Sequence, residues 1–173
     1  MSFSRSYNLA RLGNTGDTVR LEADADERAA IAAQAGALSV ERFTADVVLK
    51  KEGAANFLLS YTLEVEVTQA CVVSLEPVPA WIARSFGREL HFRGTGRHAA
   101  ETPVTLEISP EEGDEMEEIE SLHFDLAAPV LEEFLLALEP YPRRPGVEFD
   151  PGDEGSARPE SPFAALKSLK PSK

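Results

Sequence analysis

Cys71 is the chain's single thiol, and His91, His98 and His123 are its three imidazoles. A cysteine nucleophile works as a thiolate, so it needs a base or a positive neighbour within reach. None of the histidines stands near Cys71 in sequence, and any such pair would have to be assembled by the fold. The histidines also lack the spacing of metal ligands, and surface or sheet positions account for them. Gly94-Thr-Gly96-Arg97 is glycine-rich, but a phosphate loop would continue into a Lys-Ser/Thr pair and a helix. It reads as a hairpin turn. The sequence offers no catalytic residue, no cofactor site and no metal site. A small hydrolase using Cys71 or a carboxylate finds neither a nucleophile elbow nor a placed triad to rest on.

Recognition chemistry is better represented. The closing peptide, Ser161-Pro-Phe-Ala-Ala-Leu-Lys-Ser-Leu-Lys-Pro-Ser-Lys173, is apolar and basic in a chain that is otherwise strongly acidic. Phe163, Leu166 and Leu169 recur every third residue and would share one helical stripe, flanked by Lys167 and Lys170. Ser161 suits an N-cap and Pro162 the first helical position. Such a peptide can lay its apolar stripe in a partner's groove. The competing reading is a terminus folded back on its own domain. Residues 140–160 ahead of it are loaded with Pro, Gly, Asp and Glu and cannot bury enough surface to offset their ordering entropy. They are expected to form a flexible acidic linker, with the terminal peptide a disordered tail.

Thirty acidic side chains against seventeen basic ones give a formal net charge of −13. The summed field repels phosphate backbones and attracts basic surfaces, which argues against broad, charge-driven nucleic-acid binding and for a basic protein partner. Direct RNA contact would fall to Lys167, Lys170 and Lys173, and three lysines release few counterions, so such contact would be weak. With 43% hydrophobic residues in 173, the chain can build one sizeable core with appendages. No apolar run approaches the roughly 18 residues of a membrane span, and no apolar segment of signal-peptide type follows the start. A cytoplasmic protein without membrane contact is expected. Arg5 and Arg11 precede the first acidic residue, Asp17, a loose likeness to a transit peptide that the strand-like character of the segment opposes. A single cysteine excludes an internal disulfide and suits a reducing compartment.

Asp24-Ala-Asp-Glu27 opens a short helix over 25–35 that Gly36 stops, after a strand at 18–22. From residue 40 the hydrophobic period becomes two: Phe43, Ala45, Val47 and Leu49, a turn at Lys51-Glu-Gly53, then Leu59, Tyr61, Leu63, Val65 and Val67. This predicts a long hairpin with one dry face. Residues 71–75 are expected to continue extended, and Glu76-Pro-Val-Pro79 to break the pairing. Residues 81–86 suit a helical turn and a strand equally, with Trp81 and Phe86 either an exposed aromatic pair for a protein contact or rim packing. Strands are expected at 89–93 and 104–108. An acidic loop follows at about 110–118 in the self-repelling run from Glu111 to Glu120.

Asp125 is the N-cap of the one strong helix, whose stripe is Leu126, Val130, Leu131, Phe134, Leu135 and Leu138. Pro129 is tolerated in its first turn, and Pro140 and Pro142 end it. Glu132 and Glu133 fall on its solvent side, where a docking role competes with an ordinary solvated face. The expected fold class is α+β: an antiparallel meander, with a barrel-like curl as one form of it, covered by this C-terminal amphipathic helix. A single domain at 1–139 precedes the linker at 140–160 and the terminal peptide at 161–173.

Several anchors coincide along the chain: Phe3-Ser-Arg5, Glu27-Arg28, Cys71-Val-Val-Ser-Leu-Glu-Pro77, Asp125-Leu126, Val130-Leu-Glu-Glu133, the stretch 135–142, and Pro162-Phe-Ala-Ala-Leu-Lys-Ser-Leu-Lys170. Their order and spacing resemble the YceD family of large ribosomal RNA accumulation proteins over nearly the whole chain. The resemblance implies a non-catalytic factor needed for large-subunit ribosomal RNA to be made or to persist. It makes a large-subunit ribosomal protein the natural basic partner, with Phe163, Leu166, Lys167, Leu169, Lys170, Glu132 and Glu133 as partner-binding candidates. Many relatives carry Cys-x-x-Cys where this chain has Cys71-Val-Val-Ser74, and some add further cysteines that would suit zinc. Ser74 replaces the second thiol here and no other cysteine exists, so a thiolate zinc site is not expected.

Overall fold

The computed structural model describes residues 3–94 and 116–148. The expected strand at 104–108, most of the 94–97 turn, His98, the acidic residues 111–115 and the terminal peptide 161–173 lie outside the described residues. The chain runs through β1 (Ser6–Asn8), a 3-10 turn (Leu9–Arg11), β2 (Asp17–Glu22), α1 (Ala25–Ala35), β3 (Ser39–Glu52) and β4 (Asn56–Ala70). It continues through β5 (Pro77–Phe92), β6 (Glu117–Ile119), β7 (His123–Asp125) and α2 (Ala127–Ala137).

Local chemistry sets α1 as expected. The Asp24 side chain accepts from the Glu27 amide while the Glu27 side chain accepts from the Asp24 amide, so two orphan donors are satisfied reciprocally. At the other end Gly36 takes the left-handed conformation, φ 63°, and its amide reaches the Ala32 and Ala33 carbonyls. The period-two segments form the β3–β4 hairpin, turning at Gly53 with φ 82°. Phe43, Ala45, Val47 and Leu49 are buried beside Leu59, Tyr61, Leu63, Val65 and Val67, so one face of the sheet is dry.

Two expectations around Cys71 are corrected. The stretch 71–75 is a tight turn, closed by Leu75 N to Cys71 O at 2.9 Å and Cys71 N to Glu76 O at 2.8 Å, with Leu75 at φ 61°. The prolines do not break the pairing: Pro77 lies opposite Ala70 and Pro79 opposite Thr68, and β5 continues through Trp81 and Phe86. Along this half β5 has β4 as its single neighbour among the described residues, since β6 meets only Leu90 to Phe92. Prolines two apart place both missing N–H groups on the same side, and an open edge tolerates them there.

Among the described residues the main sheet has the order β2-β3-β4-β5-β6 and stays open. Its edge strands β2 and β6 are short, six and three residues, and each has one partner, so the barrel-like closure is not formed among the described residues. The sheet is mixed rather than purely antiparallel, because β6 runs parallel to β5. A parallel return needs a long crossover, and the connection between Phe92 and Glu117 is long enough. Part of the acidic run thus ends in a strand, where Glu118 pairs with Arg93 at 2.9 Å.

A second, two-stranded sheet joins β1 to β7, with Ser6 opposite Asp125. From α2, Leu126, Val130 and Phe134 enter the same buried cluster as the dry face. Phe134 meets Phe43 edge-on at 5.4 Å, and Phe3 meets the same ring at 5.3 Å. The buried stripe is narrower than the sequence pattern suggests: Leu131 and Leu138 are half-buried, while Leu135 is exposed.

Candidate functional site

The most heavily bonded polar group joins three distant pieces of the chain. Arg5, ahead of β1, donates through Nη1 and Nη2 to the two carboxylate oxygens of Glu27 on α1, at 2.7 and 2.8 Å. The Arg5 amide donates to Asp125 Oδ1 at 2.7 Å, Ser4 Oγ to Asp125 Oδ2 at 2.8 Å, and Leu126 N to the Arg5 carbonyl at 2.9 Å. Asp125 Oδ1 also accepts from Ala127 N at 3.0 Å, which makes it the working cap of α2. The Arg5 side chain, with the Asp24 amide, holds Glu27 well below the usual carboxylate range, at about 2. Every oxygen of this cluster is engaged inside the protein. Its chemistry is that of a clamp holding the N-terminal segment, α1 and α2 together.

Cys71 is fully buried. Its Sγ accepts from the Ser74 amide at 3.5 Å and the Arg144 amide at 3.4 Å. Hydrogen bonding from the Ser74 side chain, then from the Ser74, Arg144 and Val73 amides, pulls the thiol down toward about 6, with burial acting the other way. Val72 N donates to the Pro142 carbonyl at 2.9 Å and Arg144 pairs with Glu76, so the 71–76 turn is docked against the chain beyond α2. Pro142 is buried there. A thiol closed in this way anchors a turn. His91 cannot serve it: its Nδ1 lies 2.7 Å from Asn56 Oδ1, at the far end of β4. At the rise of an extended strand that separation is roughly 45 Å. His123 is exposed on β7. Among the described residues no three His, Cys, Asp or Glu side chains gather as metal ligands.

Of the partner-binding candidates, Glu132 is exposed and pairs with Arg88 of β5, Glu133 is half-buried, and residues 163–170 lie outside the described residues. Trp81 and Phe86 part company across the strand. Phe86 stacks on Tyr61 at 4.7 Å between ring centroids, whereas Trp81 is 53% exposed on the opposite face.

The sequence offers Trp81 as half of an exposed aromatic pair for a protein contact, but not the residues that gather around it. The surface there is a groove of about 390 Å³ lined by Trp81, Pro79, Thr68, Glu66 and Glu41. Glu41 reaches it because the β3–β4 register shifts between Val40 and Arg42, a bulge that frees one residue from the alternation. Thr68 Oγ1 donates to Glu41 Oε1 at 3.0 Å, and Ser39 Oγ donates to the same oxygen, which lowers the carboxyl's pKa. The Arg42 guanidinium lies 5.9 Å from the Trp81 ring centroid, so the indole already presents its face to a cation. A paired Trp and acidic residues on adjacent strands would be the sequence trace of such a site, but the bulge that aligns them leaves none.

The profile of the family described as "Large ribosomal RNA subunit accumulation protein YceD" matches residues 59–170. The match begins inside β4, so the anchors Phe3-Ser-Arg5 and Glu27-Arg28 fall outside it, and the Arg5–Glu27–Asp125 clamp ties that N-terminal part to the matched part. Neither the search of the curated proteins nor that of the solved structures gives a match. With the profile covering well over half of the chain, this protein belongs to the YceD family of large ribosomal RNA subunit accumulation proteins.

Proposed function

We propose that this chain supports large-subunit ribosomal RNA accumulation without catalysing a reaction, by binding a basic protein partner, a large-subunit ribosomal protein by its chemistry. The observation that carries the reading is the formal net charge of −13 in a member of this family. A strongly acidic chain lowers its energy beside a Lys/Arg-rich surface, steers the encounter, and loses that advantage as salt screens it. An unfolded basic protein otherwise binds phosphate indiscriminately, and a factor that occupies its charge until delivery protects the RNA indirectly. In this reading α2 covers the dry face of the sheet, and the segment beyond Glu148 carries the terminal peptide as a hook, with Phe163, Leu166 and Leu169 as apolar anchors and Lys167 and Lys170 beside them. Glu132 and Glu133 add carboxylates to the same partner.

The test is to mix the purified protein with purified large-subunit ribosomal proteins and follow complexes by size-exclusion chromatography across a salt series. A complex with one or a few basic proteins that dissociates as salt rises is expected. No retained protein even at low salt would sink the reading.

A further inference from the structure

We propose that the groove beside Trp81 is the place where the body of this protein holds a lysine or arginine side chain of its basic partner. This rests on the function proposed above and gives it an address. The outer face of the sheet has no covering element among the described residues, and Trp81 stands on it 53% exposed. An indole is the best aromatic partner for a cation, and this one already has a guanidinium 5.9 Å from its ring centroid, on Arg42. The groove itself is walled by carboxylates. Glu66 lies directly opposite Trp81 on β4 and forms no ion pair among the described residues, while Arg42 turns to Glu64 at 3.8 Å.

Glu41 is held in place. The bulge brings it to this face, and hydroxyls from Ser39 and Thr68 fix its carboxylate while keeping it ionised. Both hydroxyls fall on one carboxylate oxygen, so the second keeps lone-pair capacity to accept from an incoming cation. The prolines decide how a partner can approach. Pro77 and Pro79 blunt this end of the β5 edge, so an added strand would find too few donors, and a partner must instead rest side chains on the face. Aromatic wall, ordered carboxylate, second carboxylate and blunted edge together fit a cationic side chain from an extended basic segment.

The experiment uses the full chain and dye-labelled hexa-lysine and hexa-arginine, with a Gly-Ser hexamer as control, followed by fluorescence anisotropy at low ionic strength. Because Trp81 is the chain's one tryptophan, its own emission reports on the groove in the same titration. Saturable binding of both basic peptides with a concurrent change in Trp81 emission is expected. Glu41→Gln, Glu66→Gln and Trp81→Leu should each weaken binding about 3- to 10-fold. Glu52→Gln and Glu89→Gln, which remove the same charge elsewhere, should change it less than about 2-fold.

Equal losses for all four glutamate variants would mean diffuse attraction by the acidic body, which overturns the groove and leaves the proposed function standing. Absence of binding by the unaltered protein would overturn both. A change in Trp81 emission on deleting residues 161–173, with no further response to hexa-arginine, would place the chain's own peptide in the groove and overturn the proposal as well.

Discussion

Glu27 sits 8% exposed with both carboxylate oxygens on the Arg5 guanidinium and one also on the Asp24 amide. Its folded pKa of about 2 lies below the ordinary 4.5, so the clamp contributes stability above pH 4.5 that is lost as pH falls toward 2. Arg5 keeps part of its side chain in water, which screens the pair. Glu27→Gln should therefore cost about 1–2 kcal/mol at neutral pH, read from urea midpoints. The two proteins should converge by about pH 2, and a constant difference across that window would show that packing rather than charge holds the site. The sequence displays half of this arrangement. Asp24 and Glu27 are three apart and read directly as a capping box. Arg5, 22 residues from Glu27, and Asp125, 120 from Arg5, leave no local trace of their meeting. Glu41 is hidden for a related reason, since a one-residue bulge changes the face a side chain takes without changing the pattern around it.

At the scale of elements, α2 decides which of its leucines matter. The apolar spacing 126, 130, 131, 134, 135, 138 draws a stripe wide enough to admit Leu135, but only Leu126, Val130 and Phe134 enter the buried cluster. Phe134 is fully buried against Phe43, whereas Leu136 is 76% exposed. Phe134→Ala should cost about 3–4 kcal/mol in chemical denaturation, and Leu136→Ala within about 0.5 kcal/mol of zero. Comparable losses would mean that the helix packs by another face. Where an element is fixed by near neighbours, as α1 by its caps and the β3–β4 hairpin by period two and Gly53, the sequence reading matches the structure. Where the partner is remote, it fails. Whether Pro77 and Pro79 break a strand depends on which edge is open, and that is a property of the sheet order. The turn at 71–75 likewise depends on Pro142 and Arg144, which close it from far along the chain.

For the whole molecule, charge is the most legible property, because it needs no fold to be counted, and it governs what the ends of the chain can do. The terminal peptide carries Lys167, Lys170 and Lys173 on a chain of net charge −13. Three lysines compete poorly for phosphate against that field, since affinity for nucleic acid scales with the counterions released. Toward a basic protein the same field helps, and under the proposed function Phe163, Leu166 and Leu169 would supply what salt cannot screen. Affinity isolation from cells, with the full chain and with a form ending at Glu160, should recover a basic protein with the full chain and lose most of it with the shorter one. Raising salt should weaken the residual binding to the shorter form more steeply, because the apolar anchors are gone and the contacts of the acidic body to cations remain. RNA recovered without protein, and lost when Lys167, Lys170 and Lys173 are reversed in charge, would give the peptide to phosphate and leave the acidic body as a device that keeps nucleic acid away from everything except that end.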